Sequence, residues 1–133
     1  MPARPALTAT ATVLNGVDGT EVPLDAFVEH VRGLRHIYVG ERHREALSHQ
    51  TQLEVLELLA EAGLKIAIAI EWLPLEAHEA LSGYIRGELS EKELLAQTDW
   101  VAYWRHSFEA YQGIFRFARD HTLPIWPLNA PKG

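Results

Sequence analysis

The sequence predicts an α/β domain with an open, mostly parallel sheet of about three or four strands and helices packed on it. Short apolar segments occupy residues 36–39, 65–70 and 123–128. Longer segments with apolar residues at helical spacing separate them. Strands that alternate with helices pair in parallel through right-handed crossovers, and this alternation predicts the fold class.

The first half of the chain predicts two helices and two strands. Apolar residues at helical spacing give a short helix over 24–34. A strand at 36–39 follows and ends at a glycine, and a longer helix runs over 46–62 with Gly63 at its C-terminal cap. The segment at 65–70 has no polar interruption, which is typical of a strand covered on both faces.

The second half predicts three helical segments and a strand that contains prolines. A helix over 75–85 is followed by Ser90 and Glu93, which have the spacing of a capping box. An aromatic helical stretch then covers 99–120, and 123–128 forms the last strand. Since proline cannot donate to a ladder, this strand is expected at a sheet edge or to end there.

Composition limits the classes to which the chain can belong. A length of 133 residues fits one domain over 13–133 after a flexible arm at 1–12. The net charge of -6 argues against a nucleic-acid surface. The chain has no cysteine, which excludes disulfides, thiolate catalysis and cysteine zinc sites. No segment has the apolar length of a membrane span or a signal-peptide core, and the compartment is left open.

Polar residues follow each predicted strand. Glu41 and His43 follow the first strand, Glu71 follows the second and Asn129 follows the third. In an open parallel sheet the carboxyl ends of the strands share one rim, where ligands bind. The sequence therefore predicts that an imidazole, two carboxylates and an amide meet at this rim.

His43 is the central residue of the predicted site. A neutral imidazole beside carboxylates suits a divalent ion such as zinc, manganese or iron, so His43, Glu41 and Glu71 are the predicted metal ligands. The same groups suit general acid–base chemistry, and they are the predicted catalytic residues if the chain is a hydrolase. In the alternative interpretation they only hold a loop and cap the next helix.

Two further histidines bear on the site. His49 lies in the first turn of the long helix and shares a face with Gln52, so this face either looks onto the rim or is exposed to solvent. His106 lies within the aromatic stretch and is expected on the surface. The other four histidines have no partner at a ligand-like spacing and are expected to be structural or exposed.

The aromatic stretch has rings at steps of three or four residues. The stripe consists of Trp100, Trp104, Phe108, Tyr111 and Phe115. Such a stripe either packs in the core or provides a flat apolar wall for a planar ligand. A tyrosine phenolate on that wall can ligate ferric haem iron, and Tyr111 and Tyr103 are the predicted ligands. Trp104 and His49 are the other residues predicted to bind the cofactor.

Several short motifs follow one another in a fixed order. A predicted strand ends in G-E-x-H at 40–43, and H-x-x-Q at 49–52 starts the next helix. The later motifs are Glu71, y-x-x-G-x-x-s at 84–90, W-x-x-x-W at 100–104, Tyr111, F-A-R at 117–119 and LN-x-P at 128–131. In their order and spacing, the sequence resembles the ChaN family of haem-binding uptake proteins, within the Tiki superfamily, over residues 13–132.

The resemblance implies a haem-binding or iron-uptake accessory protein of the cell envelope. ChaN-like proteins bind haem pairs across a dimer through tyrosine, so haem and a homodimer are the implied cofactor and partner. Haem would then lie on the aromatic wall, with Tyr111 or Tyr103 on the iron and His43 or an arginine as its hydrogen-bond partner.

The same resemblance also implies an alternative. Tiki relatives include metal-dependent proteases and a group similar to erythromycin esterases, which use the G-x-x-H histidine and the strand-end glutamate. A metal-dependent hydrolase is therefore the second hypothesis. One histidine is few for such a site, because catalytic zinc usually has three protein ligands.

The sequence departs from the family pattern. The family domain is longer and carries a second G-x-x-H, which is not found here. Arg42 and Arg44 flank His43 where the family commonly has an acidic residue after the histidine, and the lipoprotein cysteine is absent. The chain corresponds to the N-terminal half of the family domain. It is expected to be either an inactive fragment or a shortened protein that completes its site by dimerising.

Overall fold

The computed structural model describes residues 12–131, in which helices and strands alternate. In chain order the elements are β1 (Val13–Leu14), β2 (Glu21–Val22), α1 (Leu24–Arg32), α2 (Ala46–Glu61), β3 (Ile68–Pro74), a first 3₁₀ turn (Leu75–Ala77), α3 (His78–Ile85), α4 (Glu91–Thr98), α5 (Trp100–Tyr103), a second 3₁₀ turn (Phe108–Ala110), α6 (Gln112–Asp120) and β4 (Ile125–Asn129). The arm predicted at 1–12 lies outside the described residues except for Thr12. Within 12–131, no helix has the length and apolar character that a bilayer crossing requires.

The predicted α/β class is confirmed, and a small parallel sheet lies at its centre. β3 and β4 pair in parallel, with Ile68 opposite Ile125, and β1 and β2 form a separate antiparallel hairpin. α3 packs against β4, and α6 packs against α2 and α3. The core lies between the sheet and these helices and is built mainly of leucine, isoleucine and aromatic side chains.

The strand predicted at 36–39 is wrong, and the described sheet therefore has two strands. The carbonyl of Val39 accepts a hydrogen bond from Gln52 Nε2 at 3.2 Å. A cavity of about 310 Å³ is lined by residues of both this segment and β3, among them Ile37, Val39 and Ile68. Within the described residues, β3 forms ladder bonds with β4 alone.

The second predicted strand is displaced along the chain. It was expected at 65–70, whereas β3 begins at Ile68 and ends at Pro74. Its side chains alternate between buried and exposed positions until an irregularity after Ile70, beyond which Trp72 and Leu73 are both buried. Glu71 therefore lies within the strand, on its exposed side, and not beyond its end.

Two predicted helix ends are confirmed. Gly63 follows α2 with a φ of 77°, which glycine adopts without the steric cost that a Cβ would bring. Ser90 precedes α4 and forms the capping box: its hydroxyl accepts from the Glu93 amide, and the Glu93 carboxylate accepts from the Ser90 amide at 2.8 Å.

The continuous aromatic helix predicted at 99–120 is wrong. Asp99 and Arg105 have left-handed backbones, and they divide the stretch into α5, a loop, the second 3₁₀ turn and α6. The core-packing interpretation of the stripe is confirmed, since Trp100, Tyr111 and Phe115 are buried. Their rings meet at steep angles, 84° for Trp100 and Phe115, and so do not form one flat wall.

Candidate functional site

A cluster of polar side chains lies where the loop before α2 meets β3. Glu41 and His43 belong to this loop, and Glu71 belongs to β3. One donor atom from each of these residues lies within 4.8 Å of the corresponding atoms of the other two. The structure thus brings together three of the four residues that were predicted to share one rim.

Glu41 is the buried centre of the cluster, with a side chain that is only 4% exposed. Its Oε1 accepts a hydrogen bond from Trp72 Nε1 at 2.7 Å and lies 3.2 Å from His43 Nδ1. Its Oε2 lies 2.7 Å from His49 Nδ1, but the alignment is not that of a hydrogen bond, and Oε2 has no other partner within residues 12–131. A buried carboxylate is costly without nearby donors, so these neighbours fix its position.

His43 lies at the surface of the cluster, with 41% of its side chain exposed. Its ring meets the edge of Trp104, with ring centroids 4.8 Å apart. Because Nδ1 faces the Glu41 carboxylate, Nε2 is the nitrogen left to bind a ligand. A carboxylate behind a histidine in this way is the usual support of a metal-binding imidazole.

His49 is buried and lies behind the cluster. Its Nε2 lies 3.1 Å from the backbone oxygen of His43, and its Nδ1 lies 3.3 Å from Gln52 Oε1. Its ring packs against Tyr111 at a centroid distance of 4.2 Å. His49 and Gln52 do share one face, and this face contacts the loop that carries His43. The predicted cofactor contact of His49 stays a prediction.

Asn129 does not join the cluster, although it ends β4 as the sequence analysis expected. Its Nδ2 donates to the backbone oxygen of Glu71 at 2.9 Å, and its Oδ1 accepts from the Ala130 amide at 2.9 Å. The amide therefore ties β4 to β3 at the strand position that presents Glu71.

The two tyrosines predicted as haem ligands occupy different surroundings. Tyr111 is completely buried, and this burial raises the pKa of its phenol to about 12, with the Trp104 indole opposing the rise. Neither Trp104 Nε1 nor the Tyr111 hydroxyl forms a well-aligned hydrogen bond to another described residue. Tyr103 is half-buried, and its hydroxyl donates to the Ala130 carbonyl at 3.1 Å. Their ligand roles stay predictions, but the burial of Tyr111 disfavours a phenolate that reaches a ligand.

Two residues of the site were missed from the sequence. Trp72 holds Glu41, and its place directly after Glu71 was the only signal. The surface position expected for His106 is wrong, because its half-buried ring lies 5.0 Å from that of His43 and 5.3 Å from that of Trp104. No periodic pattern could place His106, because the backbone leaves the helical path at Arg105.

The fold and the site define an α/β domain with a histidine–carboxylate cluster beside strand β3 of a small parallel sheet. The chain belongs to the family described as haem-binding uptake, Tiki superfamily, ChaN, whose model matches residues 27–133. No curated protein and no solved structure matches it. Membership confirms the predicted family, and it gives the chain a role related to haem binding and uptake in the broad sense of that description.

Proposed function

We propose that the cluster of Glu41, His43 and Glu71 binds a divalent first-row transition-metal ion, iron included, within a chain of haem-uptake ancestry. The observation that supports the proposal is the convergence of three ligand-type atoms within 4.8 Å of one another. They come from two segments that are distant in sequence, the loop before α2 and strand β3. An imidazole with carboxylates is the ligand set that zinc, manganese and ferrous iron accept.

The three side chains differ in what they can give to an ion. His43 and Glu71 are exposed enough to meet one from solvent. Glu41 is buried, and its oxygens already face Trp72, His43 and His49. It therefore orients His43 and supplies negative charge behind it, which strengthens the imidazole as a donor.

A metal site of this kind is suited to binding water or another small ligand on the ion and polarising it. A bound divalent ion supplies Lewis-acid chemistry and makes its water acidic. In the metal-dependent hydrolase alternative, His43 and Glu71 would hold the ion, and the ion would supply the acidic water. Glu41 is then held back by its hydrogen bonds and keeps His43 in place.

Titration with Co²⁺ tests the metal site. Wild type is expected to bind one ion per chain with a visible ligand-field spectrum. His43→Asn and Glu71→Gln should each weaken the binding by roughly tenfold or more, because each removes a ligand. His30→Asn and Glu76→Gln are matched controls on α1 and on the first 3₁₀ turn, and they should bind as wild type does. Absence of Co²⁺ binding by the wild-type chain would overturn the proposal.

Haem is the second candidate ligand, because the family description favours it. The residues present fit haem in one way: His43 offers an accessible imidazole whose other nitrogen faces Glu41. Tyr111 does not fit in this conformation, because its hydroxyl is buried. Haem, when bound, would supply its iron centre. This chain would contribute the imidazole of His43, which Glu41 orients. The exposed arginines at 42, 44 and 105 would offer guanidinium groups to the haem propionates.

Titration with haemin tests this candidate. Binding that is lost in His43→Ala and kept in Tyr111→Phe is the expected pattern for haem at the cluster. A spectrum that changes in Tyr111→Phe instead would return the ligand role to the tyrosine that the sequence analysis favoured. The homodimer implied by the family stays a prediction, which sedimentation of the chain with and without haemin can check.

A further inference from the structure

We infer that His106 is a further ligand of the proposed metal site, so that the ion is held by His43, His106 and Glu71 with Glu41 behind them. The inference rests on the proposed metal site and names a residue that neither the family motifs nor the strand ends point to. It gives a two-histidine, one-carboxylate set, which leaves coordination positions open for a substrate or water.

The distance between the two imidazoles suits one shared ion. At a metal–nitrogen distance of about 2.1 Å, two imidazoles on one tetrahedral ion have ring centroids roughly 5 Å apart. The centroids of His43 and His106 are 5.0 Å apart, with ring planes inclined by 49°. The rings are therefore neither stacked face to face nor too far apart for one ion to bridge them.

The backbone around His106 keeps this ring at the cluster. The carbonyl of His106 accepts a hydrogen bond from Trp100 Nε1 at 2.7 Å, and Trp100 is buried in the core. Arg105 has a φ of 64°, a left-handed conformation that a non-glycine residue keeps only when the surroundings impose it. This sharp turn after Trp104 directs His106 back toward His43, and Trp104 contacts both rings.

The role of Glu41 supports the same assignment. A metal ion that bound Glu41 directly would compete with the Trp72 indole and the two imidazoles for its oxygens. With His106 as the third ligand, Glu41 keeps these contacts and acts through His43. Three protein ligands are also the number that catalytic zinc sites use, which removes the difficulty of a site with one histidine.

The absence of cysteine from the chain permits a test by gain of signal. His106→Cys places a thiolate donor at the position, and Co²⁺ bound there should show a sulfur-to-cobalt charge-transfer band in the near ultraviolet. His121→Cys, at the exposed end of α6, is the matched control and should show none. A band in His106→Cys that is absent from His121→Cys is therefore specific to coordination at the site, because Co²⁺ bound by an unfolded chain would give a band in either variant.

His106→Asn provides the complementary measurement. It should weaken Co²⁺ binding by roughly tenfold or more and change the ligand-field spectrum, while its thermal unfolding is followed in parallel. Wild-type affinity and spectrum in His106→Asn, together with no new band in His106→Cys, would overturn the inference while the site of His43 and Glu71 stands. Failure of the wild-type chain to bind Co²⁺ would overturn both.

Discussion

Trp72 and Glu41 are 31 positions apart in the sequence, yet the Trp72 indole donates a hydrogen bond to Glu41 Oε1 at 2.7 Å. This contact connects β3 to the loop that carries His43, although no strand pairing joins the two segments. The loop at Glu41, directly after the segment predicted as a strand, is thus attached to β3 by a side-chain contact. The stability of the site and the position of its histidine both depend on this attachment.

Trp72→Phe is expected to lower the free energy of unfolding by at least roughly 1.5–3 kcal/mol, because it removes a charge-assisted hydrogen bond from a buried carboxylate. The smaller ring adds a loss of packing at this buried position. Urea unfolding followed by circular dichroism measures the change. Trp126→Phe, at a half-exposed position on β4, is the control and should alter stability by less than about 0.5 kcal/mol. Equal losses in the two variants would contradict the role given to Trp72.

Glu41→Gln should weaken Co²⁺ binding by roughly 10–100-fold while one ion per chain still binds, because the residue acts through His43 and not on the ion. The shape of the ligand-field spectrum separates this role from direct ligation, since an outer residue leaves the set of donor atoms unchanged. Glu45→Gln is the matched control at the start of α2. Loss of one donor from the spectrum of Glu41→Gln would show that Glu41 binds the ion itself.

Tyr111 makes stability depend on pH at the alkaline end. Because burial raises the pKa of Tyr111 from 10.0 to about 12, the folded state holds this proton more tightly than the unfolded chain does. The resulting stabilisation is complete below pH 10 and is lost as pH rises toward 12. Between pH 9 and 11 wild type should therefore lose about 1 kcal/mol more than Tyr111→Phe in urea unfolding. Parallel pH profiles for the two proteins would contradict this burial effect.

Ser90→Ala should destabilise the chain by about 1 kcal/mol, because the hydroxyl accepts the Glu93 amide that α4 cannot pair within itself. The pKa of Glu93 is held below its ordinary value by its hydrogen bond from the Ser90 amide. Ser107→Ala is the control, since Ser107 begins the second 3₁₀ turn without a side-chain cap. Thermal unfolding compares the two variants, and a similar loss in Ser107→Ala would show that capping is not the cause.

Local patterns in the sequence were sufficient for part of this structure. The helix ends at Gly63 and Ser90 follow from interactions within a few residues, and they formed as expected. His43 and Glu71 meet as expected, but not for the predicted reason. Residues 36–39 form no strand and Glu71 lies within β3, so the contact between Trp72 and Glu41 joins the two segments. The family of the chain could also be predicted from the sequence, because its motifs are short residue patterns that can be recognised without the fold.

Tertiary structure alone decided the rest. The segment at 36–39 has the composition of a strand, but strand formation needs a partner backbone, and Val39 bonds to Gln52 across from a cavity. Helical spacing placed Tyr111 in the aromatic stripe but did not give its neighbours, and His106 has no local signal for its burial or its neighbours. The first is enclosed by packing from several elements, and the second turns toward His43 because a left-handed Arg105 and a bond to Trp100 redirect the chain. Local spacing thus determined the helix ends, whereas packing between distant segments decided which donor atoms meet and which of them can reach a ligand.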